Sequence, residues 1–124
     1  MAETDIEMDE TLDLIASNKV EGTAVYDREE ERLGTIYNVM IDKVNGQVEY
    51  AVLSFGGLFG LGSNYYPIPW EMLDYDTDLG GYVVDIDKEK LQNAPNYSDG
   101  DQPVFDREYG TRVHDYYGVE YPHA

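Results

Sequence analysis

Residues 35–70 read TIYNVMIDKVNGQVEYAVLSFGGLFGLGSNYYPIPW, and the order of their apolar runs decides the fold. From Thr35 to Ile41 the side chains alternate. Thr35, Tyr37, Val39 and Ile41 fall on one side and Ile36, Asn38 and Met40 on the other, which is the two-residue period of a strand. Asn45-Gly46 supplies a turn. Both central residues of a type I′ turn take positive φ, which glycine adopts freely and asparagine more readily than most, so this dipeptide between β-rich runs predicts a hairpin. The return strand, Gln47 to Phe55, alternates at first and is apolar on both faces from Ala51 onward, which demands cover on both.

After Phe55 four glycines are interleaved with Leu58, Phe59 and Leu61. A phosphate-cradling loop needs a Gly-Lys-Ser/Thr ending before a helix, and neither is present. The segment reads as a tight bend whose large side chains close one end of a barrel or form a contact patch. Asn64 to Pro69 is extended and confined by its prolines to an edge or rim, with Trp70, Met72 and Leu73 capping the core beside it.

Outward from this stretch, Val20, Gly22, Ala24 and Tyr26 alternate with Glu21, Thr23 and Val25, predicting a first strand over Lys19–Tyr26. Downstream, Asp74-Tyr75-Asp76-Thr77-Asp78 places carboxylates at positions one, three and five of a calcium-type loop, with Asp85 at position twelve. The pattern departs from that loop at position six, which is Leu79 rather than glycine, and an acidic hairpin turn leading into the strand Gly81–Ile86 is the alternative. Asp87 caps a short helix over Lys88–Gln92, which stops before Pro95.

Both ends differ from this middle. Met1 to Asp13 carry six acids and no base, and residues 1–16 read as an acidic lead too poor in apolar residues to hold a fold. Residues 96–124 hold five of the 12 tyrosines and one helix signal, about 106–117, with Asp106 as N-cap and Gly118 as the stop. Val113, Tyr109, Tyr116 and Tyr117 form its apolar face. A lone helix of that length is marginal in water, so the face is expected to pack on the barrel of its own or a neighbouring chain.

With 26 Asp and Glu against 8 Lys and Arg, the formal charge of -18 repels phosphate backbones and anionic lipid, so direct nucleic-acid binding is not expected. There is no cysteine and no apolar run near the roughly 20 residues that span a bilayer, so the expectation is a soluble, cytoplasmic protein. Nor does a catalytic constellation emerge. His114 and His123 are the only histidines, and no Gly-x-Ser-x-Gly elbow surrounds a serine. His114 and Asp115 are adjacent on a helix and point apart, which favours a packing or surface role for the imidazole.

Gly34-Thr35-Ile36-Tyr37-Asn38-Val39-Met40-Ile41-Asp42, then Gly46 to Gly57, then Tyr66-Pro67-Ile68-Pro69-Trp70 together resemble the PRC-barrel domain family. That family is named for the cytoplasmic part of the photosynthetic reaction centre H subunit and is shared with the C-terminal domain of RimM. Lys90 to Pro95 and Val113 to Val119 are similar to the ending of small stand-alone bacterial members. The resemblance implies a mainly β protein, a small closed or partly open barrel of about five to six short strands over residues 17–95, with the short helix in an acidic, tyrosine-rich tail. It implies a non-catalytic interaction or assembly module, and apolar surface left over after the barrel closes adds the expectation of an adaptor without cofactors that binds a protein partner and self-associates as a homodimer or small homo-oligomer. Leu53, Phe55, Leu58, Phe59, Leu61, Tyr116 and Tyr117 are the expected contact residues. The alternative is calcium held by Asp74, Asp76, Asp78 and Asp85, or a small molecule held by Tyr65, Tyr66 and Trp70.

Overall fold

The computed structural model describes residues 14–55 and 64–121, so the acidic lead to residue 13 and the glycine loop carrying Leu58, Phe59 and Leu61 lie outside the described residues. Ser17–Val20 form one helical turn, α1, which takes in Lys19 and Val20 at the start of the strand that alternation predicts. Only Val20 of the four needs burial, and a single turn provides it while leaving Ser17 and Asn18 in water. Gly22, at φ 87°, redirects the chain into β1, Ala24–Tyr26.

Strands β2, Arg32–Ile41, and β3, Val48–Ser54, form the expected antiparallel pair. Two register shifts interrupt it, one between Ile36 and Asn38 and one between Met40 and Ile41. The first leaves Tyr37 half exposed, so the strict alternation read from the sequence holds only in segments. The turn is also not type I′. Gly46 has φ 79° but Asn45 keeps a negative φ, because the Asp42 carboxylate accepts the amides of Val44 at 2.8 Å and Asn45 at 2.9 Å and winds the connection into a longer loop.

β4 is Tyr65–Pro69, a short 3₁₀ turn covers Trp70–Met72, β5 is Leu73–Asp76 and β6 is Gly81–Val84. They complete a six-stranded sheet of order β4-β3-β2-β1-β6-β5, curled into a partly open barrel. β1 and β6 run parallel, and every other pair is antiparallel. β4 and β5, at opposite ends of the sheet, are consecutive in the chain across Trp70–Met72. That turn bridges the seam that a ladder would otherwise close.

Two capped helices follow. The Asp87 carboxylate accepts the Lys90 amide at 2.7 Å ahead of α2, Lys88–Gln92, and Asp106 accepts the Tyr109 amide at 2.9 Å ahead of α3, Arg107–Tyr117. α3 ends at Gly118, in the left-handed region at φ 72°, as its sequence predicts. Tyr109, Val113 and Tyr117 of α3 are buried in the chain's own core, with Tyr109 and His114 against Tyr50 of β3. The tail therefore supplies the cover that β3, buried from Tyr50 through Leu53, requires.

Leu53 and Phe55 are consequently not surface residues: they are 0% and 1% exposed, and Phe55 packs edge-on to Tyr66 at 5.1 Å. Tyr117 is buried too. Tyr116 is half-buried and donates its hydroxyl to the Lys90 carbonyl at 2.6 Å, tying α3 to α2. These four expected contact residues hold the fold together, Leu53, Phe55 and Tyr117 inside the core and Tyr116 through its bond to α2. Among the described residues no helix is long and apolar enough to cross a membrane.

Candidate interaction surface

The winding of the β2–β3 turn around Asp42 has an outward product. Val44 stands 95% exposed at its crest, with Ile41 half exposed at its base. On the segment that starts α3, Val104 is 77% exposed and Phe105 turns inward against Tyr50 and Tyr109. Between turn and helix lies a groove of about 310 Å³, floored by Met40, Tyr50 and Phe105 and rimmed by charged side chains of both signs. That volume is at the lower end of small-molecule sites.

Tyr121 forms the groove's end wall. After Gly118 the chain doubles back, and the Tyr121 hydroxyl donates to Glu49 Oε1 at 2.6 Å. Its ring lies over Gly110, where an added Cβ would meet ring atoms at 2.7 Å, so glycine is needed inside this helix for packing rather than for conformation. His114 is beneath, 1% exposed, its ring 4.9 Å from that of Tyr121. Its Nδ1 lies 2.8 Å from the Gly110 carbonyl, and since a carbonyl only accepts, Nδ1 carries the proton. The imidazole is thus a packing element inside α3.

Burial sets the acidity of the aromatic hydroxyls here. It pushes Tyr121 up to about 12, helped by the hydrogen bond to Glu49 and opposed by Arg107. Tyr50 is pushed further in the same direction, by burial first and by its neighbours Tyr109, Tyr121 and Glu49. Both rings stay neutral near pH 7 and offer hydroxyl and ring surface, with no nucleophilic character.

The other expected site residues do not converge. Asp76 and Asp78 sit at the β5–β6 turn, where Asp76 Oδ1 already accepts the amides of Asp78 at 2.8 Å and Leu79 at 3.1 Å. Asp85 is at the far end of that ladder, because Leu73 opposes Val84 while the turn closes on Asp76 and Gly81. Asp85 pairs with Arg28 at 3.6 Å instead, and no group of three or more metal-ligating side chains is gathered among the described residues. Tyr65, Tyr66 and Trp70 likewise scatter. Tyr65 lies between Tyr37 and Tyr97, Tyr66 against Phe55, and Trp70 against Tyr82. Val44 was readable as an apolar residue between Lys43 and Asn45 in a turn. Tyr121 carried no signal, since its partner is 72 residues away.

The PRC-barrel domain model matches residues 12–91. No curated protein matches the chain. Among solved structures, one from Pseudomonas aeruginosa assigned as the 16S ribosomal RNA processing protein RimM is similar, at 21% identity and a TM-score of 0.44. The likeness covers 68% of this chain and 50% of that one, so the chain spans about half the length of that structure.

Proposed function

The chain belongs to the PRC-barrel domain family, and from that premise we propose that it is a non-catalytic interaction module, self-associating as a homodimer or small homo-oligomer and holding a further protein partner. The supporting observation is one groove with an aromatic floor that half-exposed Ile41 lines, with the exposed Val44 and Val104 each one residue along the chain from a lining residue, Lys43 and Phe105. Isolated exposed apolar residues are ordinary on any surface. Exposed apolar residues close along the chain to a concavity supply what a symmetric contact needs, a projecting side chain and a place to receive it.

Light scattering or sedimentation of the full chain over a range of concentrations tests this reading. The average mass is expected to rise with concentration, and to stay at the monomer value in Val44→Asp and Val104→Asp. Both side chains project into water, so neither substitution should move the melting temperature by more than a degree or two. A strict monomer at every concentration would remove the self-association.

A further inference from the structure

With 12 tyrosines, one tryptophan and no cysteine, the chain offers a one-electron oxidant chiefly phenol rings. Two of them meet across a whole strand. Tyr37 falls at the register shift in β2 and stands half exposed, Tyr65 opens β4, and β3 runs between the two strands. Their ring centroids are 4.5 Å apart with planes inclined at 40°, at the short end of the range for a ring pair. Tyr65 is held on its other side, where its amide and carbonyl exchange hydrogen bonds of 2.8 and 3.1 Å with Tyr97 and the Tyr97 ring lies at 5.4 Å. Tyr37, on the exposed side, is the ring with room to turn. The pairs Tyr75 with Tyr82 and Tyr116 with Tyr117 stand at 5.1 and 5.0 Å but close to perpendicular, and Tyr82 and Tyr117 are buried.

Burial first, then Asp99 and Tyr37, raise the Tyr65 phenol above its ordinary value, and Tyr37 acts on it only if the hydroxyl ends of the two rings lie together. The carbons beside each hydroxyl carry unpaired electron density in a phenoxyl radical, so the reactive edges share that end. We propose that Tyr37 and Tyr65 form an oxidative cross-linking site, joined through a bond between their Cε carbons when the protein meets hydrogen peroxide and a haem peroxidase. Each phenol gives up one electron and one proton, the two radicals couple, and the hydrogens on the coupled carbons pass to the phenol oxygens. One peroxide takes up both electrons and both protons and leaves as two waters. The bond ties β2 to β4 across β3 and closes a covalent loop over residues 37–65, which restricts the unfolded chain as any cross-link does.

Neither ring lines the groove, so the cross-link and the self-association fail separately. The test treats the dilute full chain, alongside Val44→Asp to suppress contact between copies, with peroxidase and hydrogen peroxide. The product is expected to keep the monomer mass less two hydrogens, to show bityrosine fluorescence, and to yield on digestion one fragment pair joined at Tyr37 and Tyr65. Its urea midpoint should lie above that of the untreated protein. Tyr37→Phe and Tyr65→Phe should each lose the product, since a ring without a hydroxyl forms no phenoxyl radical. Tyr75→Phe, at another exposed phenol, should leave the yield unaltered. No bityrosine, a bond mapped to another pair, cross-linked dimers alone, or an undiminished yield in Tyr37→Phe would overturn the proposal.

Discussion

Tyr65 and Tyr97 exchange both of their backbone hydrogen bonds, so the chain's own tail occupies the first rung beyond β4. Together with Pro67 and Pro69 this leaves the edge without donors for another strand.

Replacing both prolines with valine restores two outward amides at similar side-chain volume. The double variant is expected to fold but to form strand-paired aggregates on standing or warming, detected by thioflavin fluorescence and light scattering. A variant as soluble as the wild type would show that Tyr97 alone closes the edge.

Gly34 on β2 faces the Ser54 carbonyl, and a Cβ there would lie 2.2 Å from that oxygen and 2.9 Å from the Phe55 ring. The obstacle is backbone within a paired strand, so it cannot rotate away. Gly34→Ala should cost about 1–3 kcal/mol or more in urea unfolding, with the slope of the transition unchanged.

Alkali should unfold the protein through its buried phenols. Tyr97 and Tyr121 are each held at about 12, chiefly by burial, against an ordinary value of 10.0. The folded state therefore keeps these protons after the unfolded chain has lost them. Stability is expected to be level up to about pH 9.5 and to fall as pH rises from 10 through 12 and beyond, since burial raises Tyr50 and Tyr117 further still. Tyr97→Phe and Tyr121→Phe should each make that fall shallower, as read from urea midpoints at stepped pH.

How far the sequence disclosed this fold depends on the range of each interaction. Asp87, Asp106 and Gly118 act within one helical turn, and their caps form where they are expected. The prolines of β4 announce an edge for the same reason. The doubly apolar β3 announced that cover was needed but not its source, and Leu53 and Phe55 became candidates for a partner when both are buried in the chain's own core. The β2–β3 turn misled because Asp42, three residues before Asn45, competes for the backbone amides and changes the loop type. Of the groove, Met40 and Ile41 were readable only as alternating strand residues. Its end wall depends on the contact between Tyr121 and Glu49, which no local pattern encodes.

The parallel pairing of β1 with β6 governs how the chain assembles in time. β1 through β4 form an antiparallel meander of consecutive strands, and β5 with β6 a hairpin, so each part closes short loops and can organise early. Only the ladder of Val25 with Tyr82 and Tyr26 with Val83 joins the two parts within the sheet, across more than fifty residues. Closure of that ladder is expected to be the slow event of folding, and a polypeptide emerging from its ribosome cannot complete the barrel until β6 has been made.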